Sequence, residues 1–212
     1  DGIGRVARSA SQDPALLLPA NNHAVLGLIS QLIGPGRVMD ITGVQVALRF
    51  PGCNDALVAS GAAMKDTVSG TDWHTDGLRQ GKKHSFSLLV GVALSPTLAP
   101  NNGNLVVWPG SHYRIHGLMR WPDGRVQRSN GGYEDSDGPL PDLGPGSQLY
   151  LAPGDVVLAH SEVGHCGGPH LGSDIRTMLY YRVRHCEWKQ MVADATFSND
   201  MWCDLEGVRQ YL

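Results

Sequence analysis

The spacing of apolar positions divides the chain into a short helical part and a long β part. Between Asp13 and Gly34, the residues Leu17, Leu18, Val25, Leu28, Ile29 and Leu32 fall near a 3.6-residue period, which marks a helix with one buried face. Asp13-Pro14 places a capping carboxylate before a proline at the first helical position, and Gly34-Pro35-Gly36 is a firm stop. The pattern predicts helix over residues 14–33, with Pro19 as the point where it would divide. From Val38 onward the period shortens to two. Val44, Val46, Leu48 and Phe50 would share one face of a strand over 41–50, and Phe86, Leu88, Val90 and Val92 one face of a strand over 85–94. Residues 104–108, 155–159 and 177–183 complete the strand set, punctuated by Asn102-Gly103 and Pro153-Gly154-Asp155.

Many short strands without a βαβ rhythm predict a mainly β fold, an antiparallel sandwich or jelly roll with a few flanking N-terminal helices. Residues 51–72 read as a small-residue loop. Residues 113–148 read as a long connection, which inside a compact domain serves as an active-site loop or lid. No internal repeat stands out, and the tail 186–212 fits no single pattern.

Composition narrows the class. At 212 residues the chain suits one domain, 1–212. A net charge of −3 excludes a large basic surface for nucleic acid, and no apolar run reaches the ~20 residues of a membrane span. The 27 glycines and 13 prolines suit a strand-and-turn fold. Cys53, Cys166, Cys186 and Cys203 form no C-x-x-C pair, which argues against a zinc knuckle and reads as reduced thiols of an intracellular, cytoplasmic protein. The chain opens on Asp1 and not on Met, as a trimmed chain or fragment would, so the lack of a targeting signal carries no weight. Gln210-Tyr211-Leu212 is not a peroxisomal address.

The candidate chemistry lies in Trp73-His74-Thr75-Asp76-Gly77, followed far along the chain by His165 and then Arg176. His74 and Asp76 are two apart, so on extended backbone both point the same way. Two imidazoles and one carboxylate are the ligand set of a mononuclear iron(II) site that keeps an open face. His160, His165 and His170 compete for the distal position. His165 is preferred, because Arg176 follows at a distance that would start the next strand beside it, and His160 reads as a supporting group. Cys166 would point away from the ion. The remaining histidines, His23, His84, His112, His116 and His185, read as surface or structural groups. Arg176 opens an apolar strand and needs a partner there. Its planar fork suits a carboxylate, which points to a dicarboxylic co-substrate, 2-oxoglutarate.

These residues resemble the phytanoyl-CoA dioxygenase family of iron(II)/2-oxoglutarate oxygenases. The likeness rests on Trp73–Gly77, on Asn102-Gly103-Asn104-Leu105-Val106-Val107-Trp108-Pro109-Gly110-Ser111-His112, and on Pro153–His160 continuing through His165 to Arg176. The resemblance implies a double-stranded β-helix, with His74, Asp76 and His165 on iron and Arg176 on the distal carboxylate of 2-oxoglutarate. It implies hydroxylation of an unactivated carbon of a small organic or acyl substrate by O2, with release of succinate and CO2. Where family members often carry Asn, this chain has His170, and residues 1–69 lack an acyl-CoA signature. Asp76 favours hydroxylation over halogenation, because a halogenase of this type has Gly or Ala in place of the carboxylate.

The substrate would enter between residues 51–72 and 113–148. Arg114, Arg120, Arg125 and Arg128 there are candidates for an anionic substrate, although Glu134, Asp135, Asp137 and Asp142 make a solvated lid the simpler reading. Trp121 and Tyr133 would line the pocket or pack the lid. Two other readings stay open: a cupin-like metal dioxygenase that does not use 2-oxoglutarate, and a non-catalytic metal- or ligand-binding jelly roll.

Overall fold

A computed structural model describes residues 10–52, 67–68, 73–76, 78–79, 82–83, 86–118 and 142–212. After a 3-10 turn at Ala10–Gln12 come helices α1 (Pro14–Asn21) and α2 (His23–Ile33). The strands are β1 (Gln45–Arg49), β2 (Thr67–Val68), β3 (Leu78–Arg79), β4 (Lys82–Lys83), β5 (Leu88–Ala93), β6 (Leu105–Val107), β7 (Gly146–Gln148), β8 (Val156–His160), β9 (His165–Gly167) and β10 (Arg176–Val183). Helix α3 (Ser111–Leu118) follows β6, and α4 (Trp188–Ala193), α5 (Thr196–Asn199) and α6 (Glu206–Arg209) close the chain.

Two four-stranded antiparallel sheets, in the orders β1-β10-β5-β8 and β2-β7-β6-β9, carry the fold, and β3-β4 is a separate hairpin. Strand alternation sorts the side chains into layers. On the outer face of the first sheet, Leu88, Val90, Val92, Leu179, Tyr181 and Val183 bury against Ala20, Ile29 and Ile33 of the helices. The Tyr181 hydroxyl donates to the Leu16 carbonyl (2.6 Å) and pins α1 to that face. Trp73, Val106, Trp108, Ile115 and Cys166 form a second cluster under α3. Between the sheets, Ala93, Leu105, Leu151 and Met178 make a smaller core. The same inner face of β10 carries Arg176, Tyr180 and Arg182.

One buried polar knot bears directly on the site. Asn104, fully buried, donates to the carbonyls of Thr97 (2.9 Å) and Leu149 (3.1 Å) and accepts from the Asn102 amide (2.8 Å). Asn101 and Gln148 exchange hydrogen bonds beside it. Together they hold the Asn102-Gly103 turn, where Gly103 has φ +71° and a Cβ would sit 3.1 Å from the Cβ of Arg176. Glycine relieves both constraints at once.

Several expected boundaries move. The helical segment does divide, but at Asn22 and not at Pro19, and the two pieces meet at 80°. Asn22 is extended (φ −62°, ψ 138°) and its side chain accepts from the Ala24 amide, so it caps a new helix. Pro19 stays inside α1, and Asp13 caps α1 as expected. The strand expected over 41–50 is confined to Gln45–Arg49, because only those residues pair with β10. The connection 113–148 is not structureless at its ends, which hold most of α3 and all of β7, and residues 119–141 lie outside the described set. Arg120, Trp121, Arg125, Arg128, Tyr133, Glu134, Asp135 and Asp137 therefore lie outside it too, as do Cys53 and His84. The expected loop 51–72 contains β2, and its residues 53–66 and 69–72 are likewise outside. Among the described residues, no single helix is long and apolar enough to cross a membrane.

Candidate metal centre

His74 and His165 sit directly opposite each other on adjacent extended segments. His74 N–H donates to the His165 carbonyl (3.0 Å) and His165 N–H to that of His74 (2.9 Å). Residues paired this way present side chains on one face, and the two rings meet with centroids 4.6 Å apart. Asp76, two residues on, joins them, with Oδ1 4.0 Å from His74 Nε2. One ligand atom from each of His74, Asp76 and His165 lies within 4.8 Å of the others, a spacing that a metal ion can bridge. Alternation turns the neighbours away: Trp73 and Cys166 lie in the cluster under α3 on the opposite face.

The ligand atoms are prepared for a cation. His165 Nδ1 lies 2.9 Å from the Val163 carbonyl, which can only accept, so the ring proton is on Nδ1 and the Nε2 lone pair is left for the ion. Asp76 Oδ2 accepts from Arg182 Nη2 at 2.7 Å, and that same Nη2 reaches Gln45 Oε1 at 3.0 Å. Arg182 thus holds one carboxylate oxygen and leaves the other toward His74. Burial first, and then the positive charges that His165 and Arg182 can carry, push His74 down to about 4 against the opposing pull of Asp76. The imidazole is therefore neutral, as a metal ligand must be, well below physiological pH.

This shift has a measurable consequence for the metal-free protein. Unfolded, the same imidazole titrates near ~6.5. Between that value and about 4 the unfolded chain binds a proton that the folded chain does not, so stability falls as pH falls through this window. Thermal melts of the metal-free wild type should lose more stability from pH 7 to pH 4.5 than those of His74→Gln. Parallel pH profiles for the two would contradict this origin.

Arg176 lies on the inner face with its side chain buried. Its Nε donates to the Gly103 carbonyl (2.7 Å) and Nη1 reaches toward the Ala47 carbonyl (3.5 Å). A Cβ on Gly167, two residues past His165 on β9, would meet Nη2 of Arg176 at 3.5 Å. The guanidinium therefore borders the strand that carries His165. Tyr180, on the same face, has its phenol pushed up by burial, with Arg176 the largest opposing influence, and it stays a neutral hydroxyl.

The other histidines are accounted for elsewhere. His160 does not support the triad. Its Nε2 donates to the Met201 carbonyl (2.9 Å), its Nδ1 accepts from the Glu162 amide (3.0 Å), and its ring packs on His112 and Trp202. His170 is buried and bonds the Asp174 carbonyl (2.6 Å) across its own turn, a structural role at the position where the resemblance expects Asn. His116 pairs with buried Glu162 (2.8 Å), His185 with Glu206 (3.4 Å), and His23 is exposed at the start of α2. Arg114 bonds the Asp142 carbonyl (2.8 Å).

The sequence reading missed Arg182 and Gln45. Both were legible only through pairing. Arg182 is six residues from Arg176, hence on the same face of β10, and Gln45 is the cross-strand partner of Tyr180.

A family model described as phytanoyl-CoA dioxygenase matches residues 40–178. No curated protein matches the chain. Among solved structures, the chain is similar to the non-heme alpha-ketoglutarate-dependent epimerase SnoN from nogalamycin biosynthesis, at 19% identity over 84% of this chain and 59% of that one, with a TM-score of 0.54. It is also similar to HygX from Streptomyces hygroscopicus with nickel and 2-oxoglutarate bound (16% identity, 84% and 69% covered, TM-score 0.47). The apo non-heme monooxygenase ThoJ matches at 19% identity, with 86% and 64% covered and a TM-score of 0.49. The chain spans less than two thirds of the length of SnoN and ThoJ.

Proposed function

This chain belongs to the phytanoyl-CoA dioxygenase family, and from that premise we propose that it is an iron(II)- and 2-oxoglutarate-dependent oxygenase. In this reading it hydroxylates an unactivated carbon of a small organic or acyl substrate. Substrate, O2 and 2-oxoglutarate give hydroxylated product, succinate and CO2. The observation that carries the reading is the convergence of His74, Asp76 and His165 on the inner side of one sheet, facing Arg176 on the inner side of the other. The two sheets read as the double-stranded β-helix, a jelly roll forming one catalytic domain, and the likeness to SnoN supports that fold. The segment 113–148 would border its mouth as a lid. The cysteine pattern, with no C-x-x-C pair, suits reduced thiols in an intracellular setting.

The donor set fits iron(II). Two neutral imidazoles and one carboxylate form the facial triad that leaves positions open, and the outward hydrogen bonds of His165 and Asp76 fix their orientation. When bound, iron and 2-oxoglutarate supply the oxidising chemistry, decarboxylation of the keto acid coupled to oxygen insertion. The protein's own residues do the rest. His74, Asp76 and His165 hold the ion. Arg182 holds one oxygen of Asp76 and so aims the carboxylate, and a carboxylate at this position favours hydroxylation over halogenation. Arg176 receives the distal carboxylate of 2-oxoglutarate. Residues two apart on a strand are separated by roughly 6.5 Å, so the step from His165 to Gly167 matches the reach of a five-carbon diacid. The neutral Tyr180 hydroxyl offers a hydrogen bond without adding charge.

The test is turnover with purified protein, iron(II), O2 and a panel of small acids and acyl thioesters. The expected result is succinate formed one-for-one with hydroxylated product and dependent on 2-oxoglutarate. Product formed without 2-oxoglutarate would indicate a cupin-like dioxygenase, and bound iron with no succinate across the panel would indicate a binding module.

A further inference from the structure

Every second residue of β10 faces inward, and Arg176, Tyr180 and Arg182 lie in that row. The extended backbone runs on past Val183. Met39 N–H donates to the Arg184 carbonyl (2.9 Å), and Val38 pairs with His185. Arg184 is therefore the next member of the row, roughly 6.5 Å beyond Arg182 and away from Arg176. Arg37, Arg114, Arg176, Arg182 and Arg209 each hold a carboxylate or a backbone carbonyl. Arg184 holds neither among the described residues. Its guanidinium carbon lies 4.8 Å from the centroid of the Trp188 ring. Its Nε and the Trp188 indole N–H are both buried without an acceptor among the described residues. Asp76 balances the charge of Arg182 at 2.7 Å, whereas Arg184 has only burial and then the like charge of Arg182 around it, which pull its pKa down. A half-buried guanidinium without an acceptor is costly to keep.

We propose that Arg184, stacked on Trp188, binds an anionic group of the substrate, a carboxylate or a phosphate. The inference rests on the oxygenase reading given above, in which Arg176 receives the co-substrate. Arg182, which holds the metal ligand Asp76, stands between the two in the row. Substrate and co-substrate then anchor at opposite ends of one strand, on either side of the metal centre. The indole face fixes the plane of the guanidinium, and the anion supplies the acceptor that this pair lacks.

The experiment follows the Trp188 indole N–H resonance, assigned with Trp188→Phe, in the full chain with zinc(II) present as a diamagnetic stand-in for iron(II). The probes are hexanoate, hexyl phosphate and, as the neutral control, hexanamide. A saturable shift is expected with at least one anion and none with hexanamide, and the tighter anion identifies the group. Arg184→Gln should raise its Kd about tenfold or more, as loss of a charged hydrogen bond does, without lowering the melting temperature, because no protein partner is left unpaired. Arg184→Lys keeps the charge without the fork and should fall between, and it serves if the glutamine variant does not fold. No saturable shift with either anion, an equal response to hexanamide, or a shift that survives Arg184→Gln overturns the proposal. The co-substrate reading is checked apart from it, by the anaerobic absorption of the wild type with iron(II) and 2-oxoglutarate. If that fails while the indole shift is seen, the anion site stands without the oxygenase.

Discussion

Replacing His165 with alanine is expected to lower iron(II) affinity by more than about a hundredfold and to end 2-oxoglutarate consumption. Removing a hydrogen-bond partner behind a ligand already costs roughly 10–100-fold, and His165→Ala removes the ligand itself. The substitution separates chemistry from architecture, because the bonds that tie His165 to His74 are between backbone groups and survive it. Wild-type melting behaviour without metal, together with lost iron binding, is the expected pair of results in calorimetric titration. Asp76→Ala should match it in metal affinity, and it also leaves Arg182 without the carboxylate it holds at 2.7 Å. If His165→Ala kept iron binding within a few-fold while His160→Ala abolished it, the distal assignment would move to His160. That outcome would be hard to reconcile with a His160 ring whose two nitrogens bond Met201 and Glu162.

Arg176→Gln is expected to raise the Kd for 2-oxoglutarate by roughly thirtyfold or more, the cost of truncating one partner of a buried charge pair being about 2–5 kcal/mol. Iron affinity should change little. Arg176→Lys should recover only part of the loss, because an ammonium is a point charge and cannot make two parallel hydrogen bonds. Either substitution also releases the Gly103 carbonyl, which Arg176 holds at 2.7 Å, so a fall in melting temperature of the metal-free protein is expected alongside. The two effects separate cleanly. A packing defect weakens every ligand of the site, whereas loss of the carboxylate partner weakens 2-oxoglutarate and spares iron. Unaltered 2-oxoglutarate dependence of turnover in Arg176→Gln would favour the cupin-like reading.

Period and punctuation foretold the elements that bury one clean face. The strands β5, β6, β8 and β10 fall within a residue or a few of the expected ranges, because each is a largely apolar run bounded by turn residues. Asp13 capped its helix for the same local reason. The failures have a common cause in long-range pairing. Asn22 outranks Pro19 as the break because α2 must turn to lay Ile29 and Ile33 on the sheet, a tertiary demand that helix propensity does not contain. Strand β7 has three residues, Gly146, Ser147 and Gln148, with no apolar period, and exists through its pairing with β6 and β2.

At the site, the His-x-Asp spacing carried its geometry openly. Register was needed to see that His165 pairs with His74. The residues that stayed hidden, Gln45 and Arg182, occupy polar positions of their strands. Such positions ordinarily face water. In this fold Arg182 faces the space between the sheets, where the candidate metal centre lies, while Gln45 stays exposed at its margin and bonds Arg182.

The most direct test of the iron and 2-oxoglutarate assignment is anaerobic titration of the metal-free protein with iron(II) and then 2-oxoglutarate, followed in the visible region. A keto acid chelated to iron(II) gives a weak metal-to-ligand charge-transfer band. The band should appear in the wild type, be absent in His165→Ala, and require more 2-oxoglutarate in Arg176→Gln. Bound iron with no band at saturating 2-oxoglutarate would contradict the assignment.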